Sequence, residues 1–135
     1  RLRARNLPVG AHLILGLPGE DRDQMLAHAT AINRLDISYL KVHQLQYVKG
    51  SQLGRQFMAR PQDFEVLKLD DYVDLVCDFV ALLRPDIVLE RFASQAPHDL
   101  LLAPRWGLKN FELVHRVEQR LVERKLWQGK HYTAF

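Results

Sequence analysis

Three stretches of the chain combine residue types that could do chemistry. The first is His12-Leu13-Ile14-Leu15-Gly16-Leu17-Pro18-Gly19-Glu20. An apolar run that stops at two glycines opens its carboxyl end to whatever lies above a sheet, which is where parallel α/β folds bind their ligands. Gly16 and Gly19 lack Cβ atoms, so a flat or charged group could reach the backbone, and the helix start that follows offers free N–H groups. The same four residues, 16–19, also read as a plain tight βα turn. The second stretch is Leu40-Lys41-Val42-His43-Gln44-Leu45-Gln46, where polar residues interrupt an apolar strand. Period two places Lys41 and His43 on one face, and by the same alternation His12, Ile14 and Gly16 share a face. If both faces turn inward, the two histidines approach one cavity. Each imidazole also reads as a hydrogen-bonded core residue, and two are too few for a metal site without a third ligand. The third candidate, Arg91, follows Glu90 at a strand end. Its guanidinium could clamp a carboxylate or phosphate, or simply pair with Glu90, Asp86 or Asp99.

Other features are weaker. Arg116, Arg120 and Arg124 form an i, i+4 stripe joined by Lys125 and Lys130, a pattern usual for a solvated helix face but open to nucleic acid. Trp106 and Trp127 flank that helix where they could anchor it to the core. Cys77 lies in mid-helix among Val76, Phe79 and Val80, where it reads as inert packing.

These residues need elements to position them. Residues 9–15 predict a strand buried on both faces, as in a parallel sheet. Asp21, with Gln24 three residues on, predicts a helix over 22–35 with Met25, Ala29 and Ile32 inward. A second strand at 37–45 completes a βαβ unit. The pattern weakens over 46–69, where one short helix near 53–58 is expected. From Asp70 a helix places Tyr72, Val76, Phe79, Val80 and Leu83 on one face and Asp71, Asp74 and Asp78 on the other. A third strand at 87–92, a loop at 93–104 and a helix at 108–125 with Phe111, Val114, Val117 and Leu121 inward finish the chain. Residues 1–5 read as the end of a helix broken by Asn6 and Pro8.

The chain has 135 residues, 15.7 kDa, with 47% hydrophobic and 26% charged residues, the make-up of one folded domain able to hold a core unaided. Its formal charge of +3 permits anionic partners without demanding nucleic acid. A single cysteine excludes an internal disulfide framework and any iron–sulfur cluster held by this chain alone. No apolar run approaches the ~20 residues of a membrane span, so no membrane partner is expected and a cytoplasmic location is the default.

Gly16-Leu17-Pro18-Gly19-Glu20, Lys41-Val42-His43-Gln44-Leu45 and Lys49-Gly50-Ser51-Gln52-Leu53 resemble the second half of a radical S-adenosylmethionine (radical SAM) enzyme. Asp70-Asp71-Tyr72-Val73-Asp74-Leu75-Val76, Ala96-Pro97-His98-Asp99-Leu100-Leu101, Pro104-Arg105-Trp106 and Trp127-Gln128-Gly129 resemble the YhcC-like branch, which is related to the Elongator catalytic subunit. The resemblance covers essentially the whole chain. It implies an α/β fold, the carboxyl-terminal part of a partial TIM-type barrel with a mostly helical extension: residues 1–68 supply the last βα units and 69–135 the extension, packed as one unit. It also implies a parent enzyme in which a [4Fe-4S] cluster reductively cleaves S-adenosylmethionine to a 5′-deoxyadenosyl radical.

The cluster cysteines are absent, so the chain alone is expected to be inactive and without cofactor. The resemblance makes Ile14, Gly16, Pro18, Gly19, Glu20, His43, Gln44 and Leu45 part of the cofactor wall, and leaves His12, Lys41 and Arg91 as substrate candidates. His12 stands where many radical SAM enzymes have glycine. The expected partners are the amino-terminal half of the same protein, an unidentified substrate and a second copy of the fragment, because strands from an interrupted barrel leave an unpaired edge and an apolar lumen face. Two other readings are an RNA- or protein-binding module using the basic stripe, and a self-contained doubly wound domain.

Overall fold

The computed structural model describes residues 3–134. Among them the elements run β1 (Gly10–Leu15), α1 (Arg22–Asn33), β2 (Tyr39–Gln44), β3 (Tyr47–Val48), α2 (Gln52–Ala59), α3 (Leu69–Leu82), β4 (Val88–Arg91), β5 (Leu101–Ala103) and α4 (Asn110–Glu123). The expected opening helix falls partly outside the described residues; Arg3–Arg5 is a single 3-10 turn, and Asn6 at φ 58° follows it.

The fold is α/β. β2 lies between β1 and β4 and runs parallel to both. β4 comes from beyond residue 69 and β2 from before it, so the two halves of the chain share one sheet. Asp21 caps α1 as its sequence predicts: its side chain accepts from Gln24 N–H while Gln24 reaches back to Asp21 N–H.

The helices cover one side of this sheet. Leu15, Leu40 and Val42 are fully buried against Met25, Ala29 and Ile32 of α1 and Val76, Phe79 and Val80 of α3. The other side carries His12, Ile14, Tyr39, Lys41, His43 and Val88, with Ile14 46% and Val88 57% exposed. The expectation that residues 9–15 are buried on both faces is therefore corrected, because α1 and α3 join one core on the same side. The open face is polar at its centre instead of uniformly apolar.

α3 is buried around most of its circumference, not along one stripe, because it packs between α1 and α4. On α4 the inward residues are Leu113 and Val117, while Phe111 is 68% exposed. At 100° per residue Phe111 lies about a third of a turn from Val117, outside the seam with α3. The expected loop at 93–104 contains β5, which pairs antiparallel with β3. Two such short strands leave no periodicity to read.

Several family-like motifs build structure. Ser51 caps α2 through Gly54 N–H. Gln128 donates to the carbonyls of Arg84 and Ile87, Gly129 N–H to Val80 and His131 N–H to Ala81, which pins the tail to the end of α3. Trp106 donates to the Leu67 carbonyl and packs its ring 5.0 Å from that of Tyr72. Trp127, expected as a second anchor, is instead 59% exposed beneath Lys130.

Candidate functional site

β1 ends at Leu15, and the chain turns through Gly16 at φ +89° and Gly19 at φ +80°, both in the left-handed region that glycine enters without steric cost. A Cβ at Gly19 would meet nothing within 4 Å, so the turn presents bare backbone on that side. Glu20 holds the turn from beneath. Its Oε1 accepts Gly16 N–H at 3.2 Å and its Oε2 lies 2.8 Å from His28 Nε2. With both oxygens engaged and the side chain only 11% exposed, Glu20 positions the turn. Gly16, Pro18 and Gly19 line a groove of about 940 Å³ whose far wall includes Phe64, Leu67, Asp71 and Asp74.

On the open face the strand register sets the side chains in rows. His12 stands opposite Lys41, and Lys41 opposite Arg91; one row nearer the glycine turn, Ile14 stands opposite His43. Simple alternation from Leu89, which faces the core opposite Leu40, would also turn Arg91 to the core. The register shifts between Leu40 and Lys41, and the extra residue, Glu90, brings Arg91 round to the open face. Glu90 Oε2 lies 3.5 Å from Lys41 Nζ, and among the described residues no carboxylate pairs with Arg91. Gly10, His12, Tyr39, Lys41 and Glu90 line a cleft of about 230 Å³.

His43 is the best-fixed of these side chains. Its ring stacks on that of His12 with centroids 5.6 Å apart. Its Nδ1 is hydrogen-bonded to Ser94 Oγ. Ser94 is gripped in turn by Gln44, whose Oε1 accepts Ser94 N–H at 2.8 Å, and by Gln46, which donates to the Ser94 carbonyl at 3.2 Å. Burial holds the His43 pKa below its ordinary value, with His12, Arg91 and Lys41 adding repulsion. Its Nε2 is the one buried side-chain nitrogen or oxygen among the described residues without a hydrogen-bond partner.

The structure thus brings His12, Ile14, Lys41, His43 and Arg91 onto one face, with Gly16, Pro18 and Gly19 at its rim. Gln44 alternates to the core side at 6% exposure, and Leu45 N–H donates to the Leu15 carbonyl, so both extend the sheet. Ser94 went unread from sequence because only the fold carries it to His43.

Two arginines of the basic stripe are paired with carboxylates of α3. Arg120 is bonded to Asp74, and Arg124 to Asp78 at 2.7 Å, because at 100° per residue both lie on the same side of α4 as the inward Leu113 and Val117. Burial pushes the Cys77 thiol up to about 11, in keeping with packing. Among the described residues no His, Cys, Asp and Glu group could hold a metal ion, and no helix is long and apolar enough to cross a membrane.

The model of the Radical_SAM C-terminal domain family matches residues 37–123. The chain is 34% identical over 132 residues to uncharacterized protein YtqA of Bacillus subtilis, covering 98% of this chain and 40% of YtqA. It is 31% identical over 104 residues to protein YhcC of Escherichia coli, covering 77% of this chain and 33% of YhcC. It spans 40% or less of the length of these curated relatives. In fold it is similar to Elp3 of the archaeon Methanocaldococcus infernus, at a TM-score of 0.75 and 15% identity over 94% of this chain and 29% of that one. With the glycine turn and the one-sided parallel sheet as its frame, the chain belongs to the Radical_SAM C-terminal domain family, as a YhcC-like C-terminal region.

Proposed function

We propose that this chain is the carboxyl-terminal wall of a partial TIM-type barrel in a radical SAM enzyme, with its open sheet face turned to the lumen. The observation that carries this reading is a parallel sheet clothed on one side only, whose bare side ends in a glycine turn and bears a polar centre. The residues present fit part of the cofactor site. Ile14 offers an exposed apolar surface to an adenine, and Gly16 and Gly19 offer backbone with open space above Gly19. Glu20 holds that turn in shape.

The cluster does not fit here, since Cys77 is the single cysteine and is buried in the helical layer. It would be held by another part of the protein, as would the strand that pairs the free edge of β1. Bound S-adenosylmethionine would supply hydrogen-atom abstraction. The chain's own residues would seat the nucleoside, exclude water from it and present substrate across the His12, Lys41 and Arg91 row. Alone, the chain is expected to bind no cluster and to turn nothing over, and its bare edge favours self-association.

The test uses the full-length protein, reconstituted with iron and sulfide, and calorimetric binding of S-adenosylmethionine. Gly16→Val should weaken binding at least tenfold, because it adds bulk at a positive φ, while Arg116→Gln on the far helix leaves it unchanged. Equal affinities in the wild type and Gly16→Val would overturn the reading.

A further inference from the structure

We propose that the His12, Lys41 and Arg91 row, together with His43 Nε2, forms a seat for an oxyanion, the phosphate or carboxylate end of the substrate. This deepens the reading above and rests on it.

Three observations converge on the seat. First, the register lines up an imidazole, an ammonium and a guanidinium side by side on three neighbouring strands. Like charges in such a row repel one another, and the single carboxylate among them, Glu90, is drawn to Lys41. Arg91 is left without a counter-charge among the described residues. Second, the chain gives up one regular ladder position at Glu90, and the result is that Arg91 faces the row instead of the core. A bulge beside a site commonly re-aims a side chain in this way. Third, the His43 ring is locked by Ser94 on one nitrogen and leaves the other buried and unbonded. When the Ser94 hydroxyl donates to Nδ1, the ring hydrogen sits on Nε2, a donor without an acceptor.

The ligand that answers all three is an anion with several acceptor oxygens. A guanidinium fork takes two of them, an imidazole N–H another, and Lys41 supplies charge. The cleft of about 230 Å³ meets this row only at His12 and Lys41 and has Glu90 on its wall, so the anion is assigned to the open face above the row and not to the cleft.

The experiment titrates inorganic phosphate and, separately, acetate into the 135-residue chain while following the His43 side-chain resonances. A saturable shift at His43 is expected, with the tighter of the two anions identifying the group. Arg91→Gln should weaken the tighter anion at least fivefold and Lys41→Gln by a smaller factor, whereas Arg116→Gln should leave it unchanged. Arg91 is exposed, so its variant keeps the fold. No saturable shift at His43, or equal affinity in Arg91→Gln, overturns the proposal. So does displacement of the bound anion by S-adenosylhomocysteine, which would assign the seat to the cofactor's own carboxylate. The cofactor reading is tested on the full-length protein through Gly16, so the two can fail separately.

Discussion

The rings of His12 and His43 stack 5.6 Å apart and 19° from parallel although the two residues are diagonal, not direct, neighbours across β1 and β2. The stack joins the polar row to His43, one row nearer the glycine turn, and His12 is one of the causes that lower the His43 pKa.

A pH dependence follows from the lowered pKa of His43. Burial is its first cause, then His12, Arg91 and Lys41. The unfolded chain, with this group near 6.5, takes up the proton before the folded chain does. The stabilisation is therefore complete above the unfolded value and is lost as pH falls through the lower folded value. Thermal midpoints should drop from neutral to mildly acidic buffer, and His43→Gln should flatten that drop. An NMR titration should place His43 below 6.5, and Arg91→Gln should move it up. A wild-type midpoint at or above 6.5 would refute the assignment.

Glu20→Ala removes the acceptor of Gly16 N–H and the partner of His28. A loss of about 1–3 kcal/mol is expected in urea denaturation, together with weaker S-adenosylmethionine binding by the full-length protein. Unchanged stability would mean that the turn does not depend on the carboxylate.

Two glycines separate steric from conformational cost. A Cβ at Gly54 would lie 1.9 Å from the Val48 carbonyl oxygen, whereas at Gly19 it meets nothing within 4 Å and only the φ of +80° is strained. Gly54→Ala should cost about 3 kcal/mol or more, and Gly19→Ala about 1–2 kcal/mol. The reverse ranking in chemical denaturation would contradict the β3–α2 packing.

Arg84 ties the loop after α1 to the end of α3. It donates to the carbonyls of Asn33, Leu35 and Ile37 and also pairs with Asp86. Arg84→Ala should destabilise by about 2–3 kcal/mol, and Arg84→Lys should recover little of it, because an ammonium cannot reproduce the planar fork. Full recovery by lysine would show that charge alone suffices.

With its thiol pushed up to about 11, Cys77 should carry on the order of one thiolate in a thousand at pH 8. A disulfide reagent should therefore modify it only after unfolding, and rapid reaction in native buffer would contradict its burial.

Much of the frame was legible along the chain. Asp21 and Gln24 announced α1, the apolar run before Gly16 announced β1, and alternation placed Lys41 beside His43. What escaped was set by tertiary contacts. Phe111 belonged to a plausible apolar stripe, but the seam against α3 centres on Leu113 and Val117. Arg120 and Arg124 read as a basic helix face, and the fold sets Asp74 and Asp78 of α3 against them. β5 is too short to leave a pattern, and it forms only because β3 lies beside it.

The sequence by itself determined the glycine turn, the cap that follows it, the alternation of β2 and the kinship of the chain, because each depends on residues close together along the backbone. Only the tertiary structure decided that Arg91 faces Lys41 and that Ser94 fixes the His43 ring. Those relations depend on a one-residue register shift and on contacts between residues some fifty positions apart, and local periodicity carries no information at that range.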